Sequence, residues 1–190
     1  MSQYNALNEL ATAGGTVIFG GTEDRNLPLC ELKQAFALES ELYNRSVENL
    51  SIVHAKQVYN MCVAELKPEC ILLHIGTADL KLFSNNSIEF INQYCEFIHH
   101  IKSLDKSCRI VIVSLENSNH NHDVEEMNKQ LKYIADSEQC EFGDISIKRV
   151  WYPNQMKDVL SFVYSLGLKK FLPVYDLVQI LFSSKYRISA

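Results

Sequence analysis

The sequence places polar side chains directly after two apolar runs, where they are able to take part in chemistry. Residues 16–19 (TVIF) are followed by residues 20–24 (GGTED), and residues 70–75 (CILLHI) are followed by residues 76–79 (GTAD). Two consecutive glycines let the backbone approach a ligand closely. The hydroxyl of Thr22 becomes a good nucleophile only beside a base. The two acids that follow, Glu23 and Asp24, are typical of a turn that begins a helix. No glycine-rich phosphate-binding motif is present.

Histidines provide the side chains that titrate nearest to neutral pH. His120 and His122 lie beside Asp123 in the polar segment SNHNHD. This loop can supply a substitute base, hold a metal between imidazole and carboxylate, or be a solvated loop of turn-forming residues. We expect the solvated loop, with no metal and no other cofactor. His74 lies inside an apolar run, and we expect it to be a hydrogen-bonded core histidine.

The candidate residues must be positioned by segments of alternating strand and helix character. Strands are predicted near residues 16–19, 41–43, 70–75, 109–113 and 141–147, and helices over 2–13, 28–36, 53–66, 88–101, 124–134 and 154–164. Near-continuous apolar runs are typical of strands covered on both faces, and the alternation favours right-handed strand–helix–strand units. We therefore predict an α/β fold, a three-layer α/β/α sandwich with a mostly parallel five-stranded sheet of flavodoxin-like type. Ligands bind such sheets at the carboxyl ends of the strands.

The chain is predicted to form one domain over residues 1–190, with a core over about 16–166 and an appended C-terminal helix within 168–190. The apolar segment FLPVYDLVQILF in that helix predicts packing on the domain's own core or on a second copy, as in a homodimer. Within the predicted helices, apolar residues recur at helical spacing and indicate the inner faces. These residues are Val53, Val58, Met61, Cys62 and Leu66 in one helix and Ile88, Ile91, Tyr94, Cys95, Ile98 and Ile101 in another.

The composition excludes several classes of protein. The 190 residues are 47% hydrophobic and 22% charged, which is ordinary for a globular chain and unlike a disordered or collagen-like one. A net charge of −5 does not provide the excess positive charge that binding to nucleic acid or an anionic membrane requires. The six cysteines contain no CxxC pair, so a zinc knuckle is not expected. Since the first residues show no basic and apolar signal segment, we expect a cytoplasmic protein with reduced thiols.

Four segments together resemble the motif blocks of the SGNH (GDSL-like) hydrolases, which are α/β/α esterases and acyl hydrolases. Residues 17–22 (VIFGGT) are similar to the strand that ends in Gly-Asp-Ser, and residues 44–49 (NRSVEN) to the block Asn-Arg-Gly-x-Ser-Gly. Residues 71–79 (ILLHIGTAD) are similar to the strand followed by Gly-x-Asn-Asp, and residues 149–154 (RVWYPN) to the final Asp-x-x-His block. The resemblance covers about residues 16–166 and implies the SGNH fold, with a site where the blocks meet.

The side chains that carry the family's chemistry are replaced in this chain. Thr22 stands at the nucleophile, Asn49 at the glycine whose N–H serves the oxyanion hole, and Ala78 at the asparagine that also donates there. Tyr152 stands at the base and Arg149 at the acid that orients the base. A tyrosine with its ordinary pKa near 10 accepts a proton poorly at neutral pH, and losing one oxyanion donor costs about 10²–10³ in rate. The resemblance therefore implies that hydrolysis of the family type has been lost.

The same blocks imply a ligand pocket at the strand ends. Its expected residues are Gly21, Thr22, Asn49, Thr77, Asp79, Trp151 and Tyr152. The acid that matches Asp79 bonds nearby backbone in the family, and we expect the same here. Trp151 and Tyr152 with Arg149 form an aromatic and cationic lip that either stacks a ring or binds an anion, or packs around the last helix.

Three functions fit these observations. The first, which we favour, is a degenerate SGNH-like domain that binds an unidentified small molecule or protein without hydrolysing esters. The second is a divergent esterase that uses Thr22 with a base from elsewhere, such as His120 or His122. The third is an unrelated flavodoxin-like binding module, although the first loop is not rich in the serine and threonine that would cradle a phosphate.

Overall fold

A five-stranded parallel sheet forms the centre of the molecule. The computed structural model describes residues 2–35, 40–117 and 120–144. The strands are β1 (Thr16–Gly20), β2 (Leu42–Asn44), β3 (Cys70–His74), β4 (Arg109–Val113) and β5 (Glu141–Gly143). They lie in the order β2-β1-β3-β4-β5, and each neighbouring pair is parallel. The apolar runs of the sequence therefore correctly predict the strands and their parallel arrangement.

One helix precedes β1, and the other helices connect successive strands. They are α1 (Ser2–Asn8), α2 (Leu29–Ala35), α3 (Ile52–Cys62), α4 (Leu80–Asn85), α5 (Ser87–Leu104) and α6 (His122–Ser137), with short 3-10 turns at Thr22–Asp24, Ala64–Leu66 and Thr77–Asp79. Asn86 caps α5 by accepting a hydrogen bond from Glu89 N at 3.2 Å, which satisfies one of the N–H groups left free at a helix start. Among the described residues, no helix is long and apolar enough to cross a membrane.

Apolar side chains cover both faces of the sheet. On one face, Phe19 and Leu73 belong to a buried cluster that includes the inner sides of α3, α5 and α6. On the other face, Ile18 and Leu72 pack against Leu29 of α2. Successive residues of a strand point to opposite faces, so a strand covered on both sides must be apolar throughout. The three-layer α/β/α arrangement predicted from the sequence is thus confirmed.

The order in which strands are added to the sheet reverses after β2. The connection from β1 through α2 leads to β2 on one side of β1, whereas the connection from β2 through α3 leads to β3 on the other side. Strands β1 and β3 are paired along their whole length. Gly20 at the end of β1 lies opposite His74 at the end of β3. In open α/β sheets, this reversal leaves a crevice at the carboxyl ends of the strands.

Some helix assignments differ from the sequence predictions. The short helix α4 lies where a loop is expected, and α1 ends at Asn8 instead of continuing to residue 13. Val53, Met61 and Ile88 are exposed, although their spacing places them inward. In α3 the buried stripe begins one residue earlier, at Ile52, so that Val53 turns toward solvent. The predictions for residues 145–190, including the appended C-terminal helix and the dimer contact, lie outside the described residues.

A buried arginine joins α1 to the end of β2. The Arg45 side chain is enclosed between the rings of Tyr4 and Tyr43, with its guanidinium carbon 5.3 and 5.4 Å from their centroids. Its Nε and Nη2 donate to Asn8 Oδ1 at 3.0 and 2.8 Å, and its Nη1 donates to Asn44 O at 2.9 Å. Arg45 is 4% exposed, and burial lowers the pKa of its guanidinium. The two rings and the Asn8 oxygen replace the hydration that the cation loses.

We expect Arg45→Ala to lower the free energy of unfolding by about 2–4 kcal/mol, because hydrogen bonds and ring contacts of a buried cation are lost together. Arg25→Ala is the matched control, since Arg25 makes an exposed ion pair with Glu48 at 2.8 Å, a type of contact that contributes about 0–1 kcal/mol. Urea denaturation followed by circular dichroism measures both effects. Equal losses in the two variants would contradict the structural role assigned to Arg45.

Candidate functional site

A small cavity lies at the carboxyl ends of β1 and β3, in the crevice where the chain reverses direction. Its volume is about 90 Å³. The residues around it are Gly21, Thr22, Glu23, Asn49, Leu50, His74, Gly76, Thr77 and Ala78. The three loops that follow β1, β2 and β3 therefore meet here, which is where a parallel sheet of this topology binds ligands.

The loop after β2 is fixed to the end of β1 by hydrogen bonds. Val47 N donates to Gly20 O at 3.0 Å, and Gly20 N donates to Ser46 Oγ at 3.1 Å. Asn44 Nδ2 donates to Asp24 O at 2.7 Å, and Asn44 Oδ1 accepts from Ser46 N at 2.9 Å. Polar side chains of the second motif block thus satisfy the backbone of the first block, which places Asn49 beside Thr22.

Thr22 and Asn49 are in direct contact although they are far apart in the chain. Asn49 N donates a hydrogen bond to Thr22 Oγ1 at 3.0 Å. Asn49 has a φ of 53°, in the left-handed region that glycine favours and asparagine tolerates better than most residues. The family resemblance places a glycine at this position. The asparagine adopts a backbone conformation that a glycine would also adopt, and its N–H is directed at Thr22 Oγ1.

A buried carboxylate and imidazole form the inner wall of the site. His74 Nδ1 lies 2.8 Å from Asp24 Oδ2 and 3.0 Å from Asp24 Oδ1. The two residues are only 7% and 4% exposed. An ionised carboxylate can only accept hydrogen bonds, so the contact fixes a proton on Nδ1 of His74. The sequence predicts a hydrogen-bonded His74 and treats Asp24 as an acid of a helix start. The structure places Asp24 in the 3-10 turn Thr22–Asp24 and pairs its side chain with His74.

Gly20 provides the space for this pair. A Cβ atom at residue 20 would lie 1.9 Å from Asp24 Oδ2 and 3.0 Å from the carbonyl oxygen of His74. No side-chain carbon tolerates such a distance, so the carboxylate of Asp24 reaches His74 only across a glycine. The first glycine of the Gly-Gly pair is thus required for packing within the site, whereas the second lines the cavity.

Asp79 connects the loop after β3 to the start of α3. Asp79 Oδ2 accepts a hydrogen bond from Ile52 N at 2.9 Å. The side chain is buried, and it is absent from the cavity wall. Burial raises the pKa of the Asp79 carboxyl to about 6, against the lowering effects of the Ile52 N–H and of His54. The neighbouring Thr77 and Ala78 do line the cavity, where the methyl group of Ala78 offers no hydrogen-bond donor.

The remaining candidates from the sequence lie away from the cavity or outside the described residues. His120 is an exposed loop residue with a φ of 51°, and His122 is the first residue of α6; neither lines the cavity. Within residues 2–35, 40–117 and 120–144, no group of three potential ligands could hold a metal ion. Arg149, Trp151 and Tyr152 fall outside the part of the chain that the structure describes.

The sequence does not single out several residues that shape the site. Glu23 is exposed at the rim, and Leu50 is buried at the wall. The pairing of Asp24 with His74 joins the turn after β1 to the end of β3, fifty residues further along the chain. One signal for it is available in the sequence, because a histidine inside a strand buried on both faces needs a polar partner. The sequence does not identify which of the acids supplies that partner.

We expect Gly20→Ala to lower the free energy of unfolding by about 3 kcal/mol or more, because the new methyl group displaces the Asp24 carboxylate and leaves a buried pair broken. Gly21→Ala is the matched control: its Cβ would lie 3.1 Å from the flexible end of Glu23 and would meet no backbone atom within 4 Å. Chemical denaturation gives the stabilities, and the His74 ring resonances report the pair. Equal losses of unfolding free energy in Gly20→Ala and Gly21→Ala would refute the packing role of Gly20.

The raised pKa of Asp79 predicts a specific pH dependence of stability. Between about pH 4 and 6 the folded protein holds a proton that the unfolded chain releases, so this carboxyl stabilises the fold most at low pH and the benefit is lost as pH rises through about 6. Asp79→Asn keeps an acceptor for Ile52 N and removes the titration. As pH rises from about 4 to 7, we expect the free energy of unfolding of the variant to increase by up to about 3 kcal/mol relative to that of the wild type. A constant difference in unfolding free energy across this range would contradict the prediction.

Comparison with known proteins rests on structure alone, because no protein-family model and no curated protein matches the sequence. A provisionally assigned platelet activating factor from Streptococcus pneumonia superposes with a TM-score of 0.75 at 14% identity, covering 95% of this chain and 90% of the other. A provisionally assigned acylhydrolase from Bacteroides fragilis gives a TM-score of 0.69 at 14% identity, with 97% and 96% covered. A GDSL-like lipase from Bacteroides thetaiotaomicron gives 0.65 at 12% identity, with 96% and 97% covered. The chain has the fold of the SGNH (GDSL-like) hydrolases.

Proposed function

We propose that this chain is an SGNH-like domain that has lost ester hydrolysis and binds a small molecule in the cavity at the ends of β1 and β3. The hydrogen bond from Asn49 N to Thr22 Oγ1 carries the proposal. At the place where the resemblance implies an oxyanion donor, the N–H group is directed at the side-chain hydroxyl of the same site. Ala78, which also lines the cavity, adds no donor.

The replaced side chains account for a large loss of rate. One missing oxyanion donor costs about 10²–10³, and loss of the residues that act as a triad costs about 10⁴–10⁶ in other hydrolases. These effects are not additive, but each alone reduces hydrolysis severely. Binding survives such losses, because a concave site with convergent polar groups needs no activated nucleophile. We favour a small ligand over a docked protein because three loops converge on a concave site at the strand ends.

A second candidate is divergent acyl hydrolysis with Thr22 as the nucleophile. The observation that favours it is the buried pair of Asp24 and His74, since both His74 and Thr22 line the cavity. A carboxylate that orients a histidine is the usual way to build a general base. In this case His74 acts as the general base, the role that the sequence suggests for His120 or His122.

We also propose a cytoplasmic location. All six cysteines are free thiols, as expected in a reducing compartment. Burial raises the pKa of Cys70 to about 11 and that of Cys108 to about 12, which keeps these thiols protonated and unreactive at neutral pH. Partner proteins and self-association through the C-terminal segment stay predictions.

The test of the proposed function is hydrolysis of 4-nitrophenyl acetate and butyrate by the wild type, Thr22→Ala and His74→Gln. We expect the three proteins to be equally inactive above the uncatalysed rate. Activity that disappears in both variants would replace the proposal with the second candidate.

A restored variant sharpens this test. Thr22→Ser, Ala78→Asn, Arg149→Asp and Tyr152→His together return the four side chains that the resemblance implies. Because the loops already place Asn49 N–H beside residue 22, we expect this protein to hydrolyse the acetyl ester measurably. The same variant with Ala at residue 22 is the control and is expected to be inactive.

A further inference from the structure

A second concave surface lies at the other end of the sheet, away from the cavity at the ends of β1 and β3. It follows the amino ends of β4 and β5 and the end of α5, and its volume is about 600 Å³. We call it the basal groove, and its lining residues lie within 99–110 and 139–141. Small-molecule sites in proteins have volumes of about 300–1,000 Å³, so a ligand of ordinary size can be accommodated.

The floor of the basal groove is apolar. Cys108 and Ile110 are buried, and Cys140 is half-buried. Burial raises the pKa of the Cys108 thiol to about 12 and that of Cys140 to about 11, so both thiols are uncharged at neutral pH. A neutral cysteine packs as a small hydrophobic side chain. The floor therefore suits the apolar body of a ligand.

The rim of the basal groove carries more positive than negative side chains. Lys102, Lys106 and Arg109 line it together with one acid, Glu141. Two of the cations already have a partner, because Arg109 Nη2 donates to Glu141 Oε2 at 2.6 Å and Lys102 Nζ lies 3.7 Å from Glu138 Oε2. Lys106 is exposed, and it has no hydrogen-bond or ion-pair partner within the part of the chain that the structure describes. Its ammonium group is therefore available to a ligand.

Other polar groups near the rim are occupied or add a neutral donor. His99, which also lines the groove, is paired with Glu138 at 2.8 Å between Nε2 and Oε2. The carboxylate of Asp105 accepts the backbone N–H of the serine two residues later at 2.8 Å and does not line the groove. Gln139 is exposed on the β5 side, and its amide has no partner among residues 2–35, 40–117 and 120–144. A ligand oxygen can thus accept from Gln139 as well as from Lys106.

We propose that the basal groove binds a phosphate monoester with an apolar body. The body packs on Cys108, Ile110 and Cys140, and the phosphate accepts hydrogen bonds from Lys106 and Gln139. A phosphate monoester carries nearly two negative charges at neutral pH, and lysine binds phosphate as a point charge. Because two lysines line the groove, a dianion gains more than a singly charged carboxylate does. This site is separate from the cavity at the ends of β1 and β3, so the inference does not depend on the proposed function.

Amide chemical shifts of the ¹⁵N-labelled chain test the proposal at neutral pH. Phenyl phosphate is the probe, and phenol, inorganic phosphate and benzoate are the comparators. We expect phenyl phosphate to shift the resonances of Cys108, Gln139 and Cys140 in a saturable manner, with an affinity at least about threefold above that of any comparator. Absence of saturable shifts with phenyl phosphate would overturn the proposal.

Each comparator tests one part of the argument. Equal binding of phenol would overturn the role of charge, and equal binding of inorganic phosphate would overturn the role of the apolar floor. Equal binding of benzoate would overturn the choice of phosphate over carboxylate. Shifts confined to Asn49 and Thr77 would place the ligand in the cavity at the ends of β1 and β3 and overturn its assignment to the basal groove, with no bearing on ester hydrolysis.

Variants of Lys106 identify the cation. Lys106→Gln removes the charge at an exposed position, and we expect it to weaken the binding of phenyl phosphate about fivefold. Lys106→Arg keeps the charge and should bind within about twofold of the wild type. Lys132→Gln, at an exposed lysine of α6 outside the groove, is the matched control and should be unaffected. Unchanged binding in Lys106→Gln would overturn the role of this residue.

The salt dependence gives an independent measurement. Because ions screen exposed charges, the binding of phenyl phosphate to the wild type should weaken as sodium chloride is raised from about 0.02 to 0.3 M. Binding that is insensitive to salt would contradict recognition by an exposed lysine.

Discussion

The contact between Asp24 and His74 joins the turn after β1 to the end of β3, at the inner wall of the cavity. Asp24 belongs to the turn after β1, and His74 ends β3. Their side chains are almost completely buried, so the pair is stable only when both partners are present. The contact requires a glycine at residue 20, and that glycine is itself bound by Ser46 of the loop after β2. The positions of Thr22 and Asn49 follow from this arrangement.

The cavity is lined by the left-handed turn at Asn49 and by both polar and apolar side chains. Asn49 adopts the left-handed conformation, and its N–H donates a hydrogen bond to Thr22 Oγ1. The resemblance to the SGNH hydrolases places Thr22 at the nucleophile and Ala78 at a donor of the oxyanion hole, and both residues line the cavity. Such a site retains concave shape and hydrogen-bonding capacity, which suffice for binding. Fold does not determine function, and for this chain the side chains at the strand ends decide between binding and catalysis.

Much of the fold was predictable from local patterns. The apolar runs that become β1, β3 and β4 are continuous because these strands are covered on both faces. The buried faces of the helices were less predictable, because successive residues of an α-helix are rotated by about 100°. In α3 the buried stripe begins at Ile52, one residue before Val53, and Val53 therefore lies at the surface. The short helix α4 has too few residues to show a period.

By itself, the sequence determined the α/β class, the parallel sheet and the strand ends at which the candidate residues lie, because these follow from apolar periodicity and short-range turn signals. The tertiary structure alone decided which residues meet. Asp24 could have capped its own turn, yet it is paired with His74, and Asp79 bonds the start of α3 and does not line the cavity. The physical reason is that a buried polar group takes whichever partner the packing brings within hydrogen-bond distance, and that distance depends on how strands far apart in the chain come to lie side by side.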